Sequence, residues 1–272
     1  MLRTLLALVS LGLTGAVAPA AEPPLRSSGV LRVLAIPTAP RVPGQHSAPG
    51  TEFFFTTPDG PPGFDREILE GFAQLHRLKM AVVTVPSWDG LIPALLEDKG
   101  DVIAGHFSVT EARARRIAFT AEVFPTRHVV FTRRPHPAVA NVEQLRKEHV
   151  GTIKGSSMAE LIAAAGVPPA SVDDTIAPGG LPEALRSGKV TAAVLGVETV
   201  ISAQQTDPAL EIGAFLGPPG SLAFGVRKDD TDLLRALNDY IDNVRHSPTW
   251  SRLVVKYFGP AAVDVLKKSR ER

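Results

Sequence analysis

Residues 79–104, KMAVVTVPSWDGLIPALLEDKGDVIA, carry the reading on which the fold turns. Residues 79–85 read as a strand, 91–96 as a helix, and 101–104 as a short buried strand. A strand, a helix and a strand in close succession are the alternation of an α/β sheet with parallel character. Toward the N-terminus, residues 29–36 (GVLRVLAI) form another β-rich run. Phe64, Ile68, Leu69, Phe72 and Leu75 then recur at helical spacing, with Asp65 where the helix dipole favours an acid.

A second unit begins near His128, with a strand over 129–131 and a helix over 141–147 capped by Asn141. A strand at 150–153 follows, and Ser156-Ser157 opens a helix over 158–165. A helix over 181–187 and strands over 191–195 and 222–226 come next, and amphipathic helices over 233–244 and 251–258 close the pattern. No repeat recurs at solenoid periods. Residues 37–50 hold four prolines and two glycines and read as a loop longer than ordinary connections.

Residues 1–20 have the form of a cleaved secretory signal peptide. Arg3 supplies the positive start, 5–17 is apolar apart from Ser10 and Thr14, and Ala18-Pro19-Ala20 gives the cleavage pattern. The apolar run falls short of the ~20 residues of a spanning helix, so the expectation is an exported protein with no membrane insertion after cleavage, a retained N-terminal anchor being the alternative. The rest of the 272 residues suffices for one large or two small domains.

With no cysteine, disulfides, thiol catalysis, thiolate metal sites and a lipid-modified N-terminal cysteine are excluded. A net charge of +1 argues against nucleic acid as a partner. Seven scattered histidines make no metal pattern, and no Ser/His/Asp or HExxH arrangement is present. No metal or cofactor is expected.

The stretch closest to chemistry is Ser108-Val109-Thr110-Glu111-Ala112-Arg113, directly after the 101–104 strand. Hydroxyls and backbone N–H groups at a helix start, with an arginine one turn in, suit a small carboxylate.

Four landmarks in order then resemble a known family. They are Gly63-Phe64-Asp65; WDGLIPAL from Trp88; SVTEAR from Ser108 with IAFT from Ile117; and FGVRK from Phe224, followed by Leu233, Thr249-Trp250 and KYFG from Lys256. The chain resembles the extracytoplasmic solute-binding proteins of family 3, which feed polar amino acids to ABC transporters. The resemblance implies a two-lobed α/β periplasmic-binding-protein fold, a Venus flytrap with two hinge crossings. Lobe one would take 28–125 plus 227–265, and lobe two would be an insertion over 129–222. It further implies a small-molecule ligand closed into the cleft, an ABC permease as partner, and a monomer without catalytic residues.

By the same resemblance Arg113 grips the ligand carboxylate, its planar fork matching that group. Ser108 and Thr110 fall where hydroxyls and backbone groups bind ligand, although Thr110 also suits a helix cap. Ser156 and Ser157 would complete the clamp from lobe two, where serine is equally an N-cap. Phe53, in the run Phe53–Phe55, falls where an aromatic lines the cleft; three core phenylalanines are the plainer reading. His106 either touches ligand or is merely accommodated.

The chain departs from the family at Gly196, where amino-acid binders carry an acid for the ligand ammonium. Glu198, two residues on, either substitutes for it or is an exposed acid at a helix start. An ordinary α-amino acid is therefore one option and another small organic anion a second. Two rivals remain at this level: an accessory or sensory binding protein, and a dehydratase on the same fold using Glu122, Glu198 or His106.

Overall fold

The computed structural model describes residues 25–36, 55 and 62–258. Residues 1–20, the 37–50 loop and Phe53, whose roles are read above from sequence, lie outside the described residues.

Two five-stranded sheets organise the chain. The first is built on β1 (Val30–Ala35), β2 (Lys79–Thr84) and β3 (Val102–Ile103), which pair in parallel in the order β2-β1-β3. The alternation read in 79–104 is therefore present. Its intervening helix, α2 (Trp88–Leu96), begins one turn earlier than expected and tolerates Pro93 inside it. α1 (Phe64–Leu75) covers the same sheet, burying Phe64, Ile68, Leu69 and Phe72; Leu75 is exposed despite fitting the helical period.

The chain leaves this sheet after α3 (Glu111–Ala114) and β4 (Ala118–Phe119). The second sheet contains β5 (Phe124–Arg133), β6 (Val150–Gly151), β7 (Val172–Asp173), β8 (Ala192–Gly196) and β9 (Leu210–Leu222), in the order β7-β6-β8-β5-β9. Strands β6, β7 and β8 are parallel, and β5 runs antiparallel to β8 and β9.

The helices of this half are α4 (Val142–Leu145), α5 (Ser157–Ala164), α6 (Leu181–Arg186) and α7 (Val197–Thr206). Asn141 caps α4 as expected, its side chain accepting from the Gln144 N–H at 2.9 Å. The thirteen-residue β9 is the largest element that periodicity did not reveal. Gly213, Gly217, Pro218, Pro219 and Gly220 interrupt its pattern, and it holds its place only by pairing with β5.

β10 (Gly225–Val226) returns to the first sheet, antiparallel to β3 and β4. The single strand expected over 222–226 is thus the end of β9 and the separate β10. α8 (Thr231–Arg245) and α9 (Pro248–Phe258) then pack back on α1. Phe64 is the anchor, edge-on to Phe124, Trp250 and Phe258 with centroids 5.4 Å away in each case.

The result is a two-lobed α/β fold crossed twice by the chain. Both crossings are short stretches beside the paired ends of β5 and β9, where Phe124 faces Leu222. Both residues are buried in the first lobe's core, so the hinge is a two-stranded ribbon rooted in that lobe.

Candidate functional site

The segment after β3 turns sharply. Gly105 has φ +95° and His106 φ +63°, the latter uncommon for a residue with a Cβ. Asp65, on the first turn of α1, holds the turn: one carboxylate oxygen accepts from the Gly105 and His106 N–H groups, both at 3.0 Å. Burial pushes the Asp65 pKa up to about 6, against the opposing pull of these two amides. The landmark Gly63-Phe64-Asp65 thus acts from beneath the site, packing through Phe64 and orienting His106 through Asp65.

Beyond the turn, Ser108 is buried and Thr110 caps α3, its hydroxyl accepting from the Arg113 N–H at 3.3 Å. Capping is the role the structure gives Thr110. Arg113, one turn in, lies over the Phe107 ring at 4.3 Å and is 6% exposed. Its guanidinium donates to the Ser108 carbonyl at 2.9 Å and, across the cleft, to the Gly155 carbonyl at 3.3 Å. No carboxylate among the described residues lies within ion-pair distance of it. Burial lowers its pKa to about 10, partly offset by the more distant Glu160, so it is charged at neutral pH.

The second lobe meets this wall through residues 155–157. Gly155 has φ +73°, and a Cβ there would fall 2.8 Å from the Asp89 nitrogen at the start of α2. Only glycine allows this approach. Ser156 caps α5, accepting from the Ala159 N–H at 3.3 Å. Ser157 faces the cleft: its hydroxyl donates to the Ser108 hydroxyl at 3.0 Å and lies 3.4 Å from His128 Nε2. Of the two serines read as one clamp, Ser156 is occupied with the helix and Ser157 reaches the opposite lobe.

A second polar group lies at the end of β8. Gly196 ends β8 opposite His128 of β5, and Glu198 sits in the first turn of α7. Side chains in a helix lean toward its N-terminus, so the Glu198 carboxylate reaches back over Gly196. It is buried, and accepts from His106 Nε2 at 2.8 Å and from the Thr126 hydroxyl at 3.2 Å to each oxygen. The exposed-acid alternative for Glu198 is therefore excluded. Burial holds His128 neutral, its pKa lowered to about 4 despite the nearby Glu198.

Comparison with known proteins gives the family. The model of the bacterial extracellular solute-binding proteins, family 3, matches residues 43–260. The chain belongs to this family. The lysine/arginine/ornithine-binding periplasmic protein of Escherichia coli is 26% identical over 212 residues, covering 72% of this chain and 78% of that protein. The membrane-bound lytic murein transglycosylase F of Pseudomonas fluorescens is 25% identical over 248 residues, covering 89% of this chain. The solute-binding chain spans only 48% of that transglycosylase. Among solved structures, holo ArgBP from T. maritima superposes with a TM-score of 0.67 at 27% identity, covering 85% of this chain and 97% of that one. The family is extracellular, and no helix among the described residues is long and apolar enough to cross a membrane.

Sequence reasoning about this solute-binding protein missed Thr126 and His128. Both are polar residues inside the largely buried strand β5, where a polar side chain needs a partner. That was the available signal. Asp65 reads from sequence as a favourable helix-start acid and part of the Gly63-Phe64-Asp65 landmark, and not as a partner of the site, because the groups it holds are backbone amides some forty residues away.

Proposed function

We propose that the protein binds a small carboxylated solute, an amino acid or an organic acid, in the cleft between its lobes and delivers it to an ABC permease. The carrying observation is Arg113: a buried, charged guanidinium between two lobes whose hydrogen bonds go only to carbonyls. A buried cation without a counter-ion is costly, and a carboxylate supplies both the charge and the bidentate geometry. Ser108 and Ser157 lie alongside and would exchange their mutual hydrogen bond for contacts to the solute. Thr110 and Ser156 serve this pole as caps that fix the backbone. Glu198 and His106 line its far end. Lobe boundaries near 125–129 and 222–227, release of residues 1–20 as a signal peptide, and action as a monomer belong to the same reading. The amino-acid binders among the relatives support it.

We read the site as binding rather than catalytic, in keeping with the amino-acid-binding proteins among the relatives. A thermal-shift screen of amino acids and organic acids on wild type and Arg113→Ala tests the proposal. At least one carboxylate should stabilise wild type in a concentration-dependent way and leave the variant unmoved. A ligand that stabilises both proteins equally would contradict the role of Arg113.

A further inference from the structure

The Glu198 carboxylate occupies the volume a side chain at 196 would need. A Cβ on Gly196 would fall 1.9 Å from Glu198 Oε1 and 2.7 Å from its Cδ. The acid expected at 196 for a ligand ammonium is thus supplied from 198 and delivered to nearly the same place. It is already engaged. His106 reaches it from the opposite lobe at 2.8 Å, and Thr126 bonds both its oxygens.

His106 is not there by chance rotation of a surface side chain. It is 4% exposed, and its backbone is held in the left-handed region by the Asp65 carboxylate. The groups facing it are Glu198 on α7, His128 on β5 and Asp65 on α1, and Arg113 lies within electrostatic reach of the same His128. An incoming ammonium would have to compete with His106 at Glu198 Oε1 and share the carboxylate with the Thr126 hydroxyl.

We propose that His106 is a specificity-determining residue that stands in for the ligand ammonium, so that the solute is a small carboxylate lacking a charged α-amino group. This rests on the carboxylate reading of Arg113. The α-position would carry a hydroxyl, an oxo group or hydrogen, for which neutral His128 and the Ser157 hydroxyl are suitable partners.

Calorimetric titration with matched sets, each an amino acid with its 2-hydroxy and 2-oxo analogues, tests this. Wild type should bind a hydroxy or oxo acid at least tenfold more tightly than the matching amino acid. His106→Gly, which accepts the positive φ, and His106→Asn, which tolerates it, should erase or invert that preference. An amino acid preferred tenfold by wild type would overturn the inference and leave the carboxylate reading standing. So would variants that weaken all members of a set equally. Wild type binding no member of any set would overturn both.

Discussion

The two charged poles of the cleft are opposites in more than sign. Arg113 is a buried cation satisfied only by carbonyls, while the buried carboxyl group of Glu198 is already met by an imidazole and a hydroxyl. The first pole is incomplete without an outside charge; the second is complete within the chain. The difference teaches where binding energy is available: a group whose partners are built in contributes to the fold, and a group left unneutralised contributes to affinity.

The largest expected effect comes from Arg113→Met. It should weaken binding of a carboxylate solute at least 100-fold, about 3 kcal/mol. It should also leave the unfolding free energy of the protein alone unchanged or higher, because an uncompensated buried charge is gone. Calorimetric titration and urea unfolding check the two halves, and a marked loss of stability would show that Arg113 is structural. Glu198→Gln should behave in reverse, losing about 2 kcal/mol of stability in urea with no solute added, as His106 and Thr126 lose their charged acceptor. Unchanged stability would mean that the second pole is not internally complete.

Acid sharpens the same contrast. His128 has a pKa of about 4 when folded and 6.5 as a free side chain, so the unfolded chain takes up its proton first. Its contribution to stability is full above pH 6.5 and is lost as pH falls toward 4. Asp65 runs the other way: raised from 3.8 to about 6, its contribution is full below 3.8 and is lost as pH rises through 6. The two largely offset each other in wild type. His128→Asn removes one of them, so the loss of stability between pH 7 and pH 4.5 should shrink by about 2 kcal/mol relative to wild type. Urea unfolding at the two pH values reads this, and identical losses would place His128 in a solvated setting.

The smallest effect is expected at Thr110. Replacing it with alanine should cost about 1 kcal/mol of stability through the lost cap and less than threefold in affinity. An affinity loss comparable to that of Arg113→Met would make its hydroxyl a ligand contact.

The sequence was most legible where structure is local. Residues 79–104 show their strand–helix–strand alternation because short apolar runs of strand length flank a helix that buries Trp88, Leu91, Ile92 and Leu95, and Asn141 and Ser156 cap helices as their types suggest. Ser108 and Arg113 are legible because they lie five residues apart in one short stretch of chain at a helix start. The rest of the site depends on distant partners. Glu198 could be read as either an exposed or a binding acid until β8, β5 and the Gly105–His106 turn placed Thr126 and His106 around it. Strand β9 was hidden for a related reason, since its glycines and prolines carry turn chemistry and only pairing with β5 extends them.

The central claim, that Arg113 awaits a carboxylate, is tested most directly by titrating wild type with its tightest-binding carboxylate and with the primary amide of the same compound. The amide preserves size and shape but removes the charge. Binding of the amide at least 100-fold more weakly is the predicted result; an amide that binds within threefold of the acid would contradict it.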